Sequence, residues 1–572
     1  PVKRRKDNET ENQTIKLKQF KLQIPDAGEN DNLDTLILKF VIETMSPLSI
    51  VEYSSFQNLI HGANKTSKPI QILGRHSLTQ KLDREYEKIK MKIIESLLFA
   101  DYVCTTADVW SSSKRSYLGM TAHWIDKVSL ERKSASLACK RFKGIDTFDR
   151  VAKMMTEIHS DFNLKLSKIT KTLTDNGSNM VKAFEVFGQD ENIKQSTSPT
   201  CEDNDDDVED DDGFFPRDFP NIDEDSYGFD YEFPPHERCA THTLHLVAAV
   251  DTKDIEISSY KKIRNAALGK CQAFWNNCSK SPKACALFFE ITGKSVSLPC
   301  ATRWNSYNNA IIDMLAVQEK INDAMKALNL TTFKDADLAF LKEYTICLKP
   351  FADAIQSLQG EEQTYYGVLL PELQRINKML ISLRLENLVY CRTLSEKLEE
   401  SLIKRFQRFF ILDSSANDAI CATVSHPFFK MKWAPKEQKD RVRSVFLLHI
   451  RKLKESSKKS DVNLQIGDNS FVKEEYYFSF QDNEDSSDSF AATEGTPDLE
   501  ALQYLQDKRT NFEMLHDYPT VRRMFIKCNT CLSSSAPVER LFSFGGMIMR
   551  PHRKEMTDDV FEKLVLLKSN YG

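Results

Sequence analysis

The spacing of apolar residues changes period along this chain, and each change predicts a different kind of structure. From 33 to 62 apolar side chains recur at helical spacing, among them Leu36, Leu38, Phe40, Val41 and Met45, with a break at Pro47-Leu48-Ser49. Ser77 to Leu98 places Leu82, Tyr86, Ile89, Ile93 and Leu97 on one face and Lys or Arg opposite, the pattern of a long amphipathic helix. Residues 33–98 therefore read as a helical N-terminal unit. The period then falls to two over 101–108, 117–125 and 130–140, with turn-like Ser111-Ser112-Ser113 and Asp126-Lys127 between the runs. A helix over about 148–162 follows, then a strand from Ile169 to Leu173 that stops just before Asp175, then a helix opened by Gly177-Ser178-Asn179.

Three strands, a helix, a strand and a helix is the element order of an RNase H-like core, in which the first and fourth strands lie parallel and adjacent. Residues 99–254 are expected to form its first part, with 237–252 helical. Within that stretch 190–236 is expected to be a disordered acidic loop, because no face of it can be buried. Helical periodicity returns from about 255 to 455, within a helical block read over 255–525, as in Leu369, Leu373, Ile376, Leu380 and Leu383. A second low-complexity stretch at 455–498 is expected to be disordered, and 526–572 returns to helices. Residues 1–32 are a polar tail whose Lys3-Arg4-Arg5-Lys6 cluster suits either a nuclear import signal or a solvated end. The fold class read from this order is α/β plus all-α.

Composition narrows the setting. The hydrophobic share of 41% comes without any apolar run long enough to cross a membrane, and the polar, basic opening is unlike a secretory signal. Thirteen cysteines without paired spacing suit a reducing compartment better than a disulfide scaffold. The net charge of −5 conceals an asymmetry: residues 202–232 hold fifteen Asp and Glu against the single Arg217, a net of −14, which leaves +9 on the other 541 residues. The body is basic, as backbone contacts to DNA require, though many proteins that never meet DNA are equally basic.

Three acids stand out against this background. Asp108 in Thr-Thr-Ala-Asp-Val-Trp and Asp175 in Leu-Thr-Asp-Asn-Gly-Ser-Asn each end a β-like run, and Glu539 opens a helix after Ser533-Ser534-Ser535-Ala536-Pro537. Each has an ordinary structural reading, as a turn former or a first-turn helical acid. Together they match the three carboxylates between which a nuclease holds two divalent cations. Cys239 and His242, with His245 a turn later, share a helical face; with no second pair of ligands nearby they read as a packing and hydrogen-bonding cluster rather than a closed zinc site. Trp304 in Ala-Thr-Arg-Trp-Asn-Ser reads most simply as core.

These motifs resemble the hAT transposase superfamily (hobo, Activator, Tam). The likeness runs in unbroken order through Thr-Ala-Asp-Val-Trp-Ser-Ser, Tyr-Leu-Gly-Met-Thr-Ala-His-Trp, Thr-Asp-Asn-Gly-Ser-Asn-Met, Cys-Ala-Thr-His, Thr-Arg-Trp-Asn-Ser and Ser-Ala-Pro-Val-Glu-Arg-Leu-Phe-Ser, over about 35–572. It is nearest to the vertebrate Tol-type branch, which also carries an acidic insert before Cys-x-x-His. The resemblance implies an RNase H-like catalytic core interrupted by a large all-helical insertion, with 526–572 as the last part of the core and the dimerisation region. It implies catalysis by Asp108, Asp175 and Glu539 with two Mg²⁺ or Mn²⁺ ions, stacking of Trp304 on a flipped base, and a phosphate contact from Arg303. The implied partners are DNA, as transposon terminal inverted repeats and target, and a second copy of the chain; the implied compartment is the nucleus. A domesticated relative that binds DNA without cutting it is the alternative. Family members usually open with a BED-type zinc finger that reads the element ends, and no Cys-x-x-Cys and His-x-His pair precedes residue 100 here, a departure from the family pattern at the part that would recognise those ends.

Overall fold

The computed structural model describes residues 33–63, 71–112, 115–142, 147–175, 177–188, 231–299, 304–360, 364–464, 497–549 and 556–571. In chain order it begins with helices α1 (Leu33–Thr44), α2 (Ser54–Ala63) and α3 (Arg75–Phe99). Strands β1 (Val103–Ser112), β2 (Arg115–Ile125) and β3 (Arg132–Phe142) follow, then α4 (Phe148–Asp161), β4 (Ile169–Thr174), α5 (Ser178–Phe187), β5 (His236–Arg238) and α6 (Ala240–Ala249). The helical stretch comprises α7 (Ser258–Lys280), α8 (Pro282–Thr292), α9 (Trp304–Leu315), α10 (Gln318–Ala327), α11 (Asp335–Leu358), α12 (Leu369–Leu385), α13 (Arg392–Arg405), α14 (Asn417–Ser425), α15 (Lys439–Leu464), α16 (Pro497–Gln506) and α17 (Pro519–Asn529). Helices α18 (Ala536–Ile548) and α19 (Asp558–Tyr571) close the chain. Among the described residues no helix is long and apolar enough to cross a membrane.

The chain divides into two compact units: Pro1–Ile93 with Ala138–Lys140 and Leu541–Gly572, and Ile94–Leu137 with Arg141–Arg540. In the first, α1 buries the stripe Ile37, Leu38, Val41 and Ile42. Phe561, Leu564, Val565 and Leu567 of α19 are buried as well. Polar contacts tie α19 to the N-terminal helices: Lys563 Nζ lies 2.8 Å from Asp83, Lys568 Nζ donates to the Glu43 carbonyl at 2.8 Å, and Tyr571 bonds Glu85. In this division α19 falls with the N-terminal helices, whereas 526–572 was expected as the last part of the core together with the dimerisation region. The apolar side chains of α19 serve the fold of one chain by packing in the N-terminal unit.

The second unit holds a five-stranded sheet of order β3-β2-β1-β4-β5, with β1 antiparallel to β2 and parallel to β4, and β4 parallel to β5. The β1 run Val103–Ala107 is buried on both faces, as is most of β4, which is what parallel strands covered on each side require. Their buried hydroxyls satisfy one another: Thr105 with Thr172 at 2.7 Å, and Thr106 with Thr121 at 2.6 Å. One apolar core runs from Cys104 and Leu173 in the sheet through Trp275, Phe340 and Leu380 to Phe525 in the helices. Local signals set the helix ends. In α8, Ser281 Oγ accepts from the Ala284 N–H, Pro282 takes the first turn, and Gly293 closes the helix at φ 73°, a left-handed conformation that favours glycine.

Two expected boundaries move. The acidic loop was expected to reach 236, but Phe233 is fully buried against Phe184 and Phe187, and β5 begins at His236; the remainder of that expectation lies outside the described residues. The stretch expected to be disordered from 455 is helical to Leu464, because α15 continues through it, and α16 starts at Pro497. What lies between, like residues 1–32, is outside the described residues.

Candidate active site

Strand register brings the first two acids to one level. Thr105 and Thr106 of β1 pair with Thr172 and Leu173 of β4. Asp108 and Asp175, each two residues beyond Thr106 and Leu173, therefore lie level on neighbouring strands, whose spacing is about 4.8 Å; Asp175 follows the end of β4, whereas Asp108 lies inside β1, which was expected to stop there but continues to Ser112 in its pairing with β2. The Asp108 carboxylate accepts the Val109 N–H at 2.7 Å, and Asp175 accepts the Gly177 N–H at 3.0 Å. A Cβ at position 177 would stand 3.0 Å from the Asp175 carboxylate oxygen, so a glycine there lets the turn fold close over the acid.

Glu539 is 364 positions from Asp175 in sequence and sits in the first turn of α18, exposed. Hydrogen bonds around Cys239 explain how that helix is anchored to the strand end. The Cys239 N–H donates to the Thr174 carbonyl at 2.9 Å, next to Asp175. Its sulfur accepts the Ser535 N–H at 3.3 Å and the His242 N–H at 3.4 Å. Thr241 and Ser534 share a 2.8 Å hydroxyl contact, and the Ala240 N–H donates to the Ser533 carbonyl at 2.9 Å. From the other side buried Arg132 donates to the carbonyls of Asn529, Thr530 (2.9 Å) and Cys531 (3.4 Å), fixing the turn that leads into α18.

The electrostatics of Asp108 register all three acids. Burial pushes its carboxyl well above the usual carboxylate range; Asp175 and then Glu539 push it the same way, against the Val109 N–H. A site in which neighbouring negative charges raise the cost of ionising Asp108 is relieved by a hard cation, and carboxylate oxygens are donors of the kind that suits Mg²⁺ or Mn²⁺. The donor set thus fits such ions in kind. Among the described residues no three His, Cys, Asp or Glu side chains stand in a ready metal-holding cluster, so the acids share one field without forming a closed ligand shell.

The remaining sequence-derived candidates divide. Cys239 and His242 sit beside the strand end as the hydrogen-bonded hinge just described, and His245, whose pKa is lowered to about 4 by burial and then by His242, lies a turn further along α6. Trp304 is the first residue of α9; its side chain, and the whole of Arg303, lie outside the described residues. Sequence reasoning missed His236, which bonds Thr174 at 2.8 Å and stacks on Phe184 at 4.4 Å, with its pKa lowered to about 4 chiefly by burial. It also missed Arg132, since nothing local marks an arginine at a strand start as buried.

Residues 476–571 match the hAT family C-terminal dimerisation region. A protein named AC transposase in Zea mays is 22% identical over 566 residues, covering 91% of this chain and 63% of its own length. Another, named AC9 transposase, also of Zea mays, is 24% identical over 267 residues, covering 46% of this chain and 27% of its own length. The chain thus spans less than two thirds of either relative. The C-terminal part of the chain thus matches the hAT family's dimerisation region, and 91% of the chain is similar to a protein named AC transposase.

Proposed function

We propose that this protein is a cut-and-paste DNA transposase with an RNase H-like catalytic core in which Asp108, Asp175 and Glu539 hold two Mg²⁺ or Mn²⁺ ions. When bound, such ions supply charge stabilisation for phosphodiester cleavage. The chain's own part is to hold the three carboxylates near the end of β4: β1 and β4 fix two of them, and the hinge at Cys239 and Ser535 fixes the helix that carries the third. The observation that carries this reading is the parallel β1–β4 register that levels Asp108 with Asp175, together with the rise in the Asp108 pKa to which Asp175 and Glu539 both contribute.

The proposed reaction is a nick beside the element end, a hairpin on the flanking DNA, and joining of the element's 3′ ends to target DNA, with the nucleus as the site of action. Trp304, at the start of α9, is assigned to stacking on the flipped base and Arg303 to a phosphate. Assembly as at least a dimer is part of the same proposal, supported by the match to the dimerisation region. Purified protein incubated with Mg²⁺ and DNA carrying its terminal repeats is expected to yield nicked and hairpin products on a denaturing gel. Asp108→Asn is expected to abolish them, and equal cleavage by that variant would refute the assignment.

A further inference from the structure

Two hollows in the helical part of the second unit meet at the short segment between α14 and α15. The first, about 570 Å³, is lined by Lys349, Arg375, Lys378, Lys432, Phe428 and Trp433 among others. The second, about 450 Å³, is lined by Lys430, Lys432, Lys439, Lys508 and Arg509, so Lys432 belongs to both. Two carboxylates, Glu386 in the first hollow and Asp507 in the second, are outnumbered by these cations. Arg375 is paired with Glu372 at 2.7 Å and Asp507 is engaged by Arg509, but Lys349, Lys378, Lys439 and Lys508 have no ion-pair partner among the described residues.

The connecting segment carries further marks of a binding surface. Lys430 holds a left-handed backbone at φ 46°, unfavourable for a residue with a Cβ. It is buried, its ammonium donates to the Asp507 carbonyl and lies 4.9 Å over the Tyr504 ring. Burial first, and then repulsion from Lys432 and Arg509 against the pull of Asp507, lowers its pKa. Phe428 is 59% exposed with the Lys432 ammonium 5.8 Å over its ring. Trp433 is only 7% exposed, yet its indole N–H has no hydrogen-bond partner. A buried donor left unpaired is costly, which points to an acceptor supplied from outside.

We propose that the two hollows form one track for a DNA strand with unpaired bases, in which Lys349, Lys378, Lys432 and Lys508 take phosphates, Phe428 stacks on a base and the Trp433 indole donates to the strand. Cations on both sides of an exposed ring match a ligand that alternates backbone charge with flat apolar faces, the combination by which single strands are held. The track deepens the DNA reading above but rests on different residues from the three acids.

The test is fluorescence anisotropy of the full chain with labelled oligothymidine in EDTA, so that binding is read without cleavage. Lys378→Glu combined with Lys432→Glu is expected to weaken binding at least about tenfold and to flatten the dependence of log K on log salt by about 0.7 for each phosphate no longer neutralised. Phe428→Ala is expected to weaken it about tenfold with the salt slope unchanged. All three side chains are exposed, and unchanged thermal melting confirms that the variants fold. Because EDTA removes the metal ions, the binding readout does not depend on cleavage, which separates failure of this track from failure of the catalytic assignment. Wild-type affinity and slope in the lysine and phenylalanine variants would overturn the proposal. So would polyglutamate binding as tightly as the oligonucleotide with the same sensitivity to the variants, because that would identify an acidic protein partner instead.

Discussion

At the scale of single residues, Asp108 is where stability and function conflict. Its carboxyl ionises less readily in the folded chain than in the unfolded one, because burial and then Asp175 and Glu539 disfavour the charge. The unfolded chain therefore gives up this proton first as pH rises past the ordinary value of 3.8, and folding stability is lost from there up to the raised folded value. Asp108→Asn removes the penalty. The variant is expected to melt at a higher temperature than the wild type at neutral pH, with the difference vanishing below 3.8, where both side chains are neutral in either state. A cation held by the three acids would reverse the order, so added Mg²⁺ is expected to raise the wild-type melting temperature and leave Asp108→Asn unmoved. Calorimetry across pH with and without Mg²⁺ reads both effects, and a variant less stable than the wild type at neutral pH would show that the acids do not repel as described.

At the scale of elements, β5 and β4 are joined by a buried ion network that the apolar pattern did not announce. Lys171 of β4 lies 2.8 Å from Glu237 of β5, Arg408 bonds the same carboxylate, and the Tyr366 hydroxyl donates to it at 3.2 Å. Burial alone would raise the Glu237 pKa, but Lys171 and Arg408 hold it at about 2. A depressed carboxylate stabilises the fold above its unfolded value, near 4.5, and that contribution is lost as pH falls toward about 2. Glu237→Gln leaves Lys171 buried and underpaired and is expected to cost about 3–5 kcal/mol in urea unfolding at neutral pH, with the gap to the wild type narrowing in acid. The long helices and the strands β1 to β4 were legible because their apolar periods persist over most of each element, and so were the places of Asp175 after β4 and Glu539 in the first turn of α18, whereas β1 runs on past Asp108 to Ser112. β5 was not, since three residues, His-Glu-Arg, carry no alternation. Arg132 was hidden for a related reason: its partners are carbonyls of Asn529, Thr530 and Cys531, 397 to 399 positions away. The Cys239 hinge was half legible, as a hydrogen-bonding cluster whose partners next to α18 no local pattern identifies.

At the scale of the whole molecule, the apolar surplus of the C-terminal segment has to be divided between folding and assembly. Phe561, Leu564, Val565 and Leu567 are buried within one chain, so they cannot also be the surface that meets a second copy. Yet 476–571 match the family's dimerisation region. Within that stretch α16 leaves Leu499 49% and Leu502 38% exposed, three residues apart on the same face. Met547 of α18 is also 40% exposed, but Leu499 and Leu502 are the pair that shares one helix face and so offers a surface for contact between copies; a transposase has a mechanical need for such contact because two element ends must be held at once. Light scattering on a sizing column is expected to give at least a dimer. Leu499→Glu with Leu502→Glu should shift it toward monomer while the circular dichroism and melting curve stay near wild type, since exposed positions tolerate charge. Phe561→Glu or Leu564→Glu should instead lose several kcal/mol of fold stability, because burying an unpaired charge there has no compensation, and any loss of dimer would follow from unfolding. A clean monomer at micromolar concentration, with and without DNA, would refute assembly. A folded dimer that survives both glutamates on α16 would put the interface elsewhere in the chain.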